Sequence, residues 1–131
     1  MRRSRPWLLG LLLGLLVVAG CSPLPVTTEE AIVGDWTAVV VFATEQGPLL
    51  VDVTTRFFEN GRRELVIEGD SVVPPQARYW FEEELLFLDG CEGVPGSYRA
   101  AMIGNGGLRL TAVNDPCLDR VAIYEREWTP Q

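Results

Sequence analysis

Histidine is absent from this 131-residue chain, and so is lysine, which leaves arginine as the only basic side chain. Without an imidazole the chain lacks the general base of Ser-His-Asp and Cys-His enzymes and the commonest protein ligand of zinc. No other nucleophile motif or cluster of metal ligands replaces it. We therefore expect a protein that is not an enzyme and that carries no cofactor and no metal.

Long apolar runs are also scarce, and the one such run extends from Trp7 to Val18. It is shorter than the ~20 residues that a helix needs to cross a bilayer. The run follows the arginine-rich start Met1–Arg5 and ends at the small residues of Val18-Ala19-Gly20-Cys21. A basic start, a short apolar run and a small-residue cleavage site are typical of an export signal.

Val18-Ala19-Gly20-Cys21 resembles the lipobox of bacterial lipoproteins, in which the cysteine becomes the acylated first residue. The resemblance implies a cleaved signal peptide over residues 1–20, a lipidated flexible tether over 21–33 and a folded domain over 34–131. It also implies an extracytoplasmic protein held at the cell membrane or outer membrane through Cys21, because buried acyl chains anchor a protein to a bilayer. A plain secretory signal with a chance cysteine is the alternative.

The charge of the mature chain limits its partners. Removal of residues 1–20 takes away three arginines and leaves 8 arginines against 18 acidic residues, a net charge of about −10. Nucleic acids and anionic lipid surfaces repel such a protein. We therefore expect no nucleic-acid partner, and a protein partner stays unspecified.

Two cysteines remain once Cys21 is acylated, namely Cys91 and Cys117, which lie 26 positions apart. Exported proteins fold in an oxidising compartment, so the simplest expectation is a disulfide between them. In the chain-entropy model such a bridge contributes roughly 3–4 kcal/mol. Two free thiols or a redox pair are the alternative, although the CxxC spacing of a redox site is missing.

Short runs of β-branched and aromatic residues, separated by Gly- and Asn-containing turns, predict about eight strands and no helix. Closing the sheet removes its unpaired edges, so we expect a small all-β, antiparallel up-and-down β-barrel, with a β-sandwich as the alternative. In such a barrel the loops that hold Cys91 and Cys117 lie at one end. The predicted strands cover approximately 35–44, 50–58, 63–68, 76–82, 85–88, 97–103, 108–113 and 120–128, and 89–95 is predicted as a loop.

Gly34-Asp35-Trp36, at the start of the first strand, resembles the Gly-x-Trp signature of lipocalins. The chain is similar to short bacterial lipocalin-like, calycin-type lipoproteins over roughly residues 34–128. This resemblance implies that Trp36 closes one end of the barrel and that an arginine, Arg120 or Arg126, packs across it.

Alternation within the strands predicts an apolar inward face with two phenolic groups. If the barrel is hollow, this face would hold a small hydrophobic ligand; if it is filled, the protein would be a structural or interaction lipoprotein of the cell envelope. The outward side chain of Trp80 is then a candidate for partner contact, and Asp115 before Pro116 reads as turn chemistry. The candidate ligand-lining residues are Val51, Val53, Phe57, Tyr79, Phe81, Phe87 and Tyr98, with Leu65 and Ile67 on the same face.

Overall fold

The computed structural model describes residues 27–73 and 76–131. The predicted signal peptide and the predicted acylation site at Cys21 lie outside the described residues. Within them the chain forms two short helices and nine strands. In chain order these are α1 (Thr28–Ala31), β1 (Gly34–Thr44), β2 (Gly47–Phe57), β3 (Arg63–Ile67), β4 (Asp70–Ser71), β5 (Tyr79–Glu82), β6 (Leu85–Cys91), β7 (Val94–Met102), β8 (Leu108–Asn114), α2 (Leu118–Tyr124) and β9 (Arg126–Pro130).

The nine strands form one antiparallel sheet in the order β4-β3-β2-β1-β9-β8-β7-β6-β5. Strands that follow one another in the chain are neighbours, except that β4 and β5 lie at the two ends of the sheet. The last strand, β9, pairs with the first, so that Thr37 lies opposite Thr129. The sheet curls into a half-barrel, which confirms the predicted all-β, antiparallel up-and-down architecture.

A short seam joins the two ends of the curled sheet. Arg62 pairs with Arg78 in an antiparallel bridge. The Arg63 amide donates to the Ala77 carbonyl at 3.0 Å, and the Tyr79 amide donates to the Gly61 carbonyl at 2.9 Å. The seam satisfies backbone groups that would otherwise be left open at the ends of the sheet.

Tight turns and strict alternation produce this meander. Along β2 the side chains of Val51, Val53, Thr55 and Phe57 are buried, as the period-2 pattern predicts. In the turn before β8 the Asn105 side chain accepts a hydrogen bond from the Gly107 amide at 3.0 Å. Such local side-chain bonds make Asn a favoured turn residue.

The predicted strand over 120–128 is wrong, because its first half is the helix α2. The helix begins after Cys117, next to Pro116, and buries Arg120 and Tyr124. These residues are four positions apart, so they lie on one face of a helix. They would share one face of a strand as well. Periodicity in so short a segment does not separate the two structures, and β9 forms only from Arg126 onward.

Two further boundaries differ from the prediction. The segment 89–95 is not an open loop, since β6 continues to Cys91 and β7 begins at Val94. Glu92 and Gly93 make the turn between them with positive φ values of 50° and 75°. The irregular connection after β3 contains the two-residue strand β4.

The start of the described chain packs against the barrel. The Thr27 side chain caps α1 by accepting from the Glu30 amide at 3.3 Å. Ile32, which follows α1, is fully buried in the core. The described part of the segment predicted as a flexible tether, residues 27–33, therefore contains ordered structure that belongs to the domain.

Candidate functional site

The inward face of the sheet forms a continuous apolar core. Val51, Val53, Phe57 and Tyr98 have at most 5% of their surface exposed, and Tyr79 has 7%. They contact the same cluster of buried residues, against which Phe81 packs from the edge. Leu65 is buried on the same face and Ile67 packs partly against it. The sequence pattern thus identified the core face. These side chains pack against one another in that core.

Phe87 is a correction to that prediction, because it points outward. Leu86 and Leu88 are completely buried, so the residue between them lies on the opposite face. Phe87 lies opposite Trp80, and their rings stack with centroids 5.7 Å apart and planes within 6° of parallel. The outward Trp80 predicted from the sequence is therefore half-covered by this aromatic partner.

Tyr124 and Trp128 belong to the hydrophobic core of the half-barrel. Both are 1% exposed, and their rings lie 5.8 Å apart. The Trp128 indole nitrogen donates to the Tyr124 carbonyl at 3.2 Å. The Tyr124 hydroxyl lies 3.1 Å from the Thr55 hydroxyl, which places the tip of this helix residue against β2. The helix α2 thus places the Tyr124 side chain in the interior.

A buried guanidinium lies beside this ring. Arg63 is 4% exposed, and its carbon Cζ sits 5.5 Å from the centre of the Tyr124 ring. One terminal nitrogen donates to the Tyr124 hydroxyl at 2.9 Å, and the other donates to the Asp89 carbonyl. No carboxylate of the described residues lies within 4 Å of Arg63, and its Nε has no hydrogen-bond partner there. The cation is thus held by a ring face, a phenol and a carbonyl.

Sequence reasoning missed Arg63, although the signal was present. Arg63 lies opposite Phe57 and shares the inward phase of Leu65 along β3. Strict alternation therefore places the arginine inside. A charged residue next to an Asn-Gly turn is ordinarily read as solvated, because unpaired buried charges are rare.

Trp36 is buried in the core, whereas the predicted closure of the barrel by this residue stays a prediction. It is 4% exposed, and its indole nitrogen donates to the Ile32 carbonyl at 2.7 Å. Gly34, at the start of β1, has a φ of 137°, which disfavours other residues there. Among the described residues the one cation–π contact joins Arg63 and Tyr124, so the contact predicted between Trp36 and Arg120 or Arg126 is not found.

Arg126 and Arg120 have other roles. The Arg126 guanidinium donates to the carbonyls of Ile123 and Ala122, both at 2.6 Å, and to that of Val39 at 3.2 Å. It thereby joins the end of α2 to the middle of β1. Burial lowers the pKa of Arg126.

Arg120 belongs to a buried cluster at the disulfide end. Its Nε and one terminal nitrogen each lie 2.7 Å from an oxygen of Asp115, in a bidentate ion pair whose carboxylate has no exposed surface. The Tyr98 hydroxyl donates to the same carboxylate, and the Cys117 amide donates to it at 2.9 Å. Arg120 also donates to the Val94 carbonyl at 2.9 Å. Asp115 is therefore a buried anchor as well as the turn residue that the sequence suggested.

The predicted disulfide joins Cys91 to Cys117 in the structure, with Cα atoms 6.3 Å apart. It links the end of β6 to the residue that precedes α2. The disulfide and the Asp115–Arg120 pair lie side by side, so that α2 is attached to the sheet at its first turn by covalent and ionic contacts.

The cluster does not titrate near neutrality. Burial and the hydrogen bond to Asp115 raise the pKa of Tyr98. Burial by itself raises the pKa of Asp115, but the hydrogen bonds from Arg120, Tyr98 and the Cys117 amide outweigh burial and lower it. Desolvation opposes the Arg120 charge, yet its bond to Asp115 raises the Arg120 pKa. None of the three therefore has the near-neutral pKa that a general acid or base needs.

Three depressions on the described surface are open to solvent. Two of them, of about 710 and 1000 Å³, lie beside α1 and share Glu29 and Phe81 in their walls. A third, of about 300 Å³, lies beside the turn before β3. Of the predicted ligand-lining residues, Phe81 lines both of the larger depressions and Tyr79 lines the one of about 1000 Å³. The other members of that set line none of the three. Within the described residues, His, Cys, Asp and Glu side chains nowhere gather in threes as a metal site.

No helix in residues 27–73 or 76–131 has the length and apolar character to cross a membrane. Comparison with protein-family models finds no matching family, and comparisons with curated proteins and with solved structures find no significant match. The resemblance to lipocalin-like lipoproteins therefore stays a prediction from the sequence.

Proposed function

We propose that this chain is a lipid-anchored, non-catalytic lipoprotein of the cell envelope whose barrel is filled by its own side chains. The observation that carries the proposal is the burial of Tyr124 and Trp128, which are 1% exposed and belong to the hydrophobic core of the half-barrel. A ligand-binding barrel keeps a preformed apolar space of some hundreds of Å³. A ligand would here have to displace Tyr124, which hydrogen-bonds to Thr55 and to Arg63.

The anchor is the second part of the proposal and depends on the sequence alone. Cys21 ends the pattern of a lipobox and lies six positions before Thr27, whose side chain caps α1. An extended chain spans at most ~3.6 Å per residue, so the domain would be held within roughly 25 Å of the bilayer. A filled barrel in this position presents its outer surface, and not a cavity, to other molecules.

A probe titration tests the filled barrel. Purified protein is titrated with a fatty acid and with an apolar fluorescent dye, and the signal is followed for saturation. We expect no saturable binding by the wild-type protein. Tyr124→Ala serves as the matched comparison, because deletion of the buried ring leaves a cavity beside Arg63 and Thr55 that a small probe can enter. Saturable, one-site binding by the wild-type protein would favour the ligand-binding alternative instead.

Mass spectrometry of the mature N-terminus tests the anchor. We expect the exported chain to begin at acylated Cys21 and to fractionate with membranes. Cys21→Ser removes the thiol that receives the lipid, so this variant should lose the added mass and leave the membrane fraction. An unmodified Cys21 in the wild-type protein contradicts the anchor without affecting the filled barrel.

A further inference from the structure

The depression of about 1000 Å³ lies beside α1 on the described surface. Three parts of the chain form its walls: α1 with the preceding Thr27, the turn between β2 and β3, and β5. It is separate from the middle of the core, because the buried residues Tyr124 and Trp128 do not line it. A depression of this size can hold a small molecule or the polar head of a larger one.

One wall of this depression is aromatic. Tyr79, Trp80 and Phe81 follow one another along β5, and all three line it. The indole of Trp80 stacks on Phe87 with ring centroids 5.7 Å apart, so one of its faces is covered. Only the opposite face can therefore contact a ligand. The faces of aromatic rings carry partial negative charge and attract organic cations.

The other walls are acidic. Glu29 and Glu30 on α1 and Glu59 in the turn before β3 line the depression, and none of its described lining residues is basic. All three carboxylates are exposed, and among the described residues none of them forms an ion pair. Their field reaches the aromatic wall, since burial raises the pKa of Tyr79 and the charges of Glu29 and Glu59 raise it further. The depression therefore has a negative potential.

Aromatic faces together with carboxylates favour an organic ammonium ion as the ligand. Aromatic side chains recognise quaternary ammonium groups through the cation–π interaction, and unpaired carboxylates add Coulomb attraction. The same groups repel an anion. A hard metal ion requires a close set of oxygen ligands, and the part of the chain that the structure describes contains no group of three His, Cys, Asp or Glu side chains that could hold one.

The place of the depression on the molecule indicates the source of such an ammonium ion. Thr27 belongs to its wall, and Cys21 lies only six positions earlier. A segment of this length spans at most roughly 25 Å, so acylation of Cys21 would hold the depression close to the membrane surface. Tryptophan and tyrosine side chains are favoured at the level of lipid headgroups, because they combine an apolar ring with a polar group.

We propose that this depression binds the ammonium headgroup of a zwitterionic phospholipid in the membrane that holds the chain. The inference rests on the proposed anchor at Cys21 and adds to it a contact between the folded domain and the bilayer. Headgroups that are anionic and lack an amine are unsuitable, because the chain has a formal net charge of −7 and the depression itself is acidic. Such a contact turns the α1 side of the domain toward the bilayer.

Quenching of tryptophan fluorescence tests this contact. The acylated protein is reconstituted in vesicles of phosphatidylcholine and in vesicles of digalactosyl diacylglycerol, which is uncharged and has no ammonium group. Both kinds of vesicle contain the same fraction of a lipid with a nitroxide at the top of its acyl chain. Trp80 is the reporter, because Trp36 and Trp128 are only 4% and 1% exposed. We expect clearly stronger quenching in phosphatidylcholine than in the galactolipid.

A pair of double variants assigns the quenching to the depression. Glu29→Gln/Glu59→Gln should lower the quenching in phosphatidylcholine to the level in the galactolipid, because it removes two of the three carboxylates. Glu92→Gln/Asp119→Asn is the matched control and should retain the difference, since it removes two exposed carboxylates that line none of the three depressions. Retention of the Cys91–Cys117 disulfide in each variant reports that the domain is folded.

A competition experiment tests the role of the positive charge. Free choline should reverse the quenching of the wild-type protein in phosphatidylcholine, because it carries the same ammonium group as the lipid. Dimethylbutanol, the uncharged isostere of choline, should leave the quenching unchanged. Equal reversal by the two compounds overturns the inference, since the charge would then have no part in the contact.

Equal quenching in the two kinds of vesicle, or equal loss of quenching in the two double variants, also overturns the inference. Flotation of the vesicles separates these failures from failure of the anchor. Anchored protein floats with both kinds of vesicle whatever its quenching, whereas protein without an anchor floats with neither, and the inference then fails together with the anchor. The probe titration of the filled barrel depends on neither result.

Discussion

At the scale of single residues, Asp115 joins three parts of the molecule. Its carboxylate accepts from Tyr98 on β7, from the Cys117 amide and from Arg120 on α2. The side chains of Asp115 and Arg120 are 0% and 4% exposed, so water cannot replace either partner. Breaking such a pair by removing one charge leaves the other buried and uncompensated.

We expect Asp115→Asn to lower the free energy of unfolding by about 3–5 kcal/mol near neutral pH. The folded state lowers the Asp115 pKa, so between the folded and unfolded pKa values the unfolded chain binds more protons. The stabilisation is complete above about pH 4 and is lost as the pH falls through the folded pKa. Denaturant unfolding across acid pH should therefore show a weaker pH dependence in Asp115→Asn than in wild type.

Asp119→Asn is the control for this prediction, because Asp119 is an exposed carboxylate in the first turn of the same helix. It should change the free energy of unfolding by less than about 1 kcal/mol. Equal losses of unfolding free energy in the two variants would show that the Asp115–Arg120 pair contributes no more to stability than an exposed carboxylate does.

Gly96 provides a steric test of the same carboxylate. A Cβ atom built at Gly96 would lie 2.3 Å from Cγ of Asp115 and 2.4 Å from Oδ2. We expect Gly96→Ala to destabilise the domain by about 1–3 kcal/mol, since the buried carboxylate must move. Gly104→Ala is the matched control, because nothing lies within 4 Å of its Cβ position. A thermal unfolding midpoint for Gly96→Ala at or above that of Gly104→Ala contradicts the prediction.

A substitution at Trp36 tests the predicted closure of the barrel. We expect Trp36→Ala to cost roughly 3–5 kcal/mol, as deletion of a buried aromatic side chain does. Its indole hydrogen bond to Ile32, which follows α1, would be lost as well. Trp80→Ala, at the half-buried outward tryptophan, should cost clearly less in the same denaturant titration. A cost below about 1 kcal/mol at Trp36 would mean that Gly34-Asp35-Trp36 is a chance match.

At the scale of elements, α2 is the part that separates a filled barrel from a hollow one. It supplies Tyr124 to the interior, and Arg120 to the ion pair with Asp115. Seven residues are too few for a helix to be stable by itself. The disulfide at Cys117 and the ion pair therefore hold the helix at its start, while Arg126 joins its end to β1.

The double variant Cys91→Ala/Cys117→Ala tests this attachment. We expect a loss of roughly 3–4 kcal/mol in the free energy of unfolding, the contribution of a bridge that closes a loop of this length. Reduction of the wild-type protein should lower the free energy of unfolding by the same amount. Free alkylation of both thiols in the oxidised native protein would contradict the bridge.

At the scale of the whole molecule, the strand pairings of the half-barrel differ in extent. β1 and β2 pair over eleven residues, whereas the seam depends on the bridge at Arg62 and Arg78. The Tyr79 hydroxyl adds a bond to the Phe58 carbonyl at 2.6 Å. Regions with few hydrogen bonds open locally at lower free energy than the rest.

Hydrogen exchange followed by NMR tests this ranking. We expect the amides of Arg63 and Tyr79, which form the seam, to exchange faster than the amide of Val53 in the middle of β2. Tyr79→Phe should accelerate exchange at the seam and leave Val53 unchanged, because it removes the bond to Phe58. Equal protection at the seam and in β2 would indicate that the barrel opens only as a unit.

Much of the fold followed from short-range patterns in the sequence. Alternation placed Val51, Val53 and Phe57 on the inner face, and Asn-Gly turns separated the strands. The two cysteines left after Cys21 predicted their own pairing. These features depend on neighbouring residues or on composition, and such information is present in the chain before it folds.

The nature of the interior was decided only by the tertiary structure. Tyr124 is 61 positions from Arg63 and 69 from Thr55, yet it contacts both. Whether a barrel is hollow depends on which side chains from distant parts of the chain enter it. The periodicity of α2 did not distinguish this helix from a strand, so the sequence did not predict that Tyr124 enters the interior from a helix. Sequence determines local conformation through nearby sterics and hydrogen bonds, whereas the filling of the interior depends on how separate elements pack.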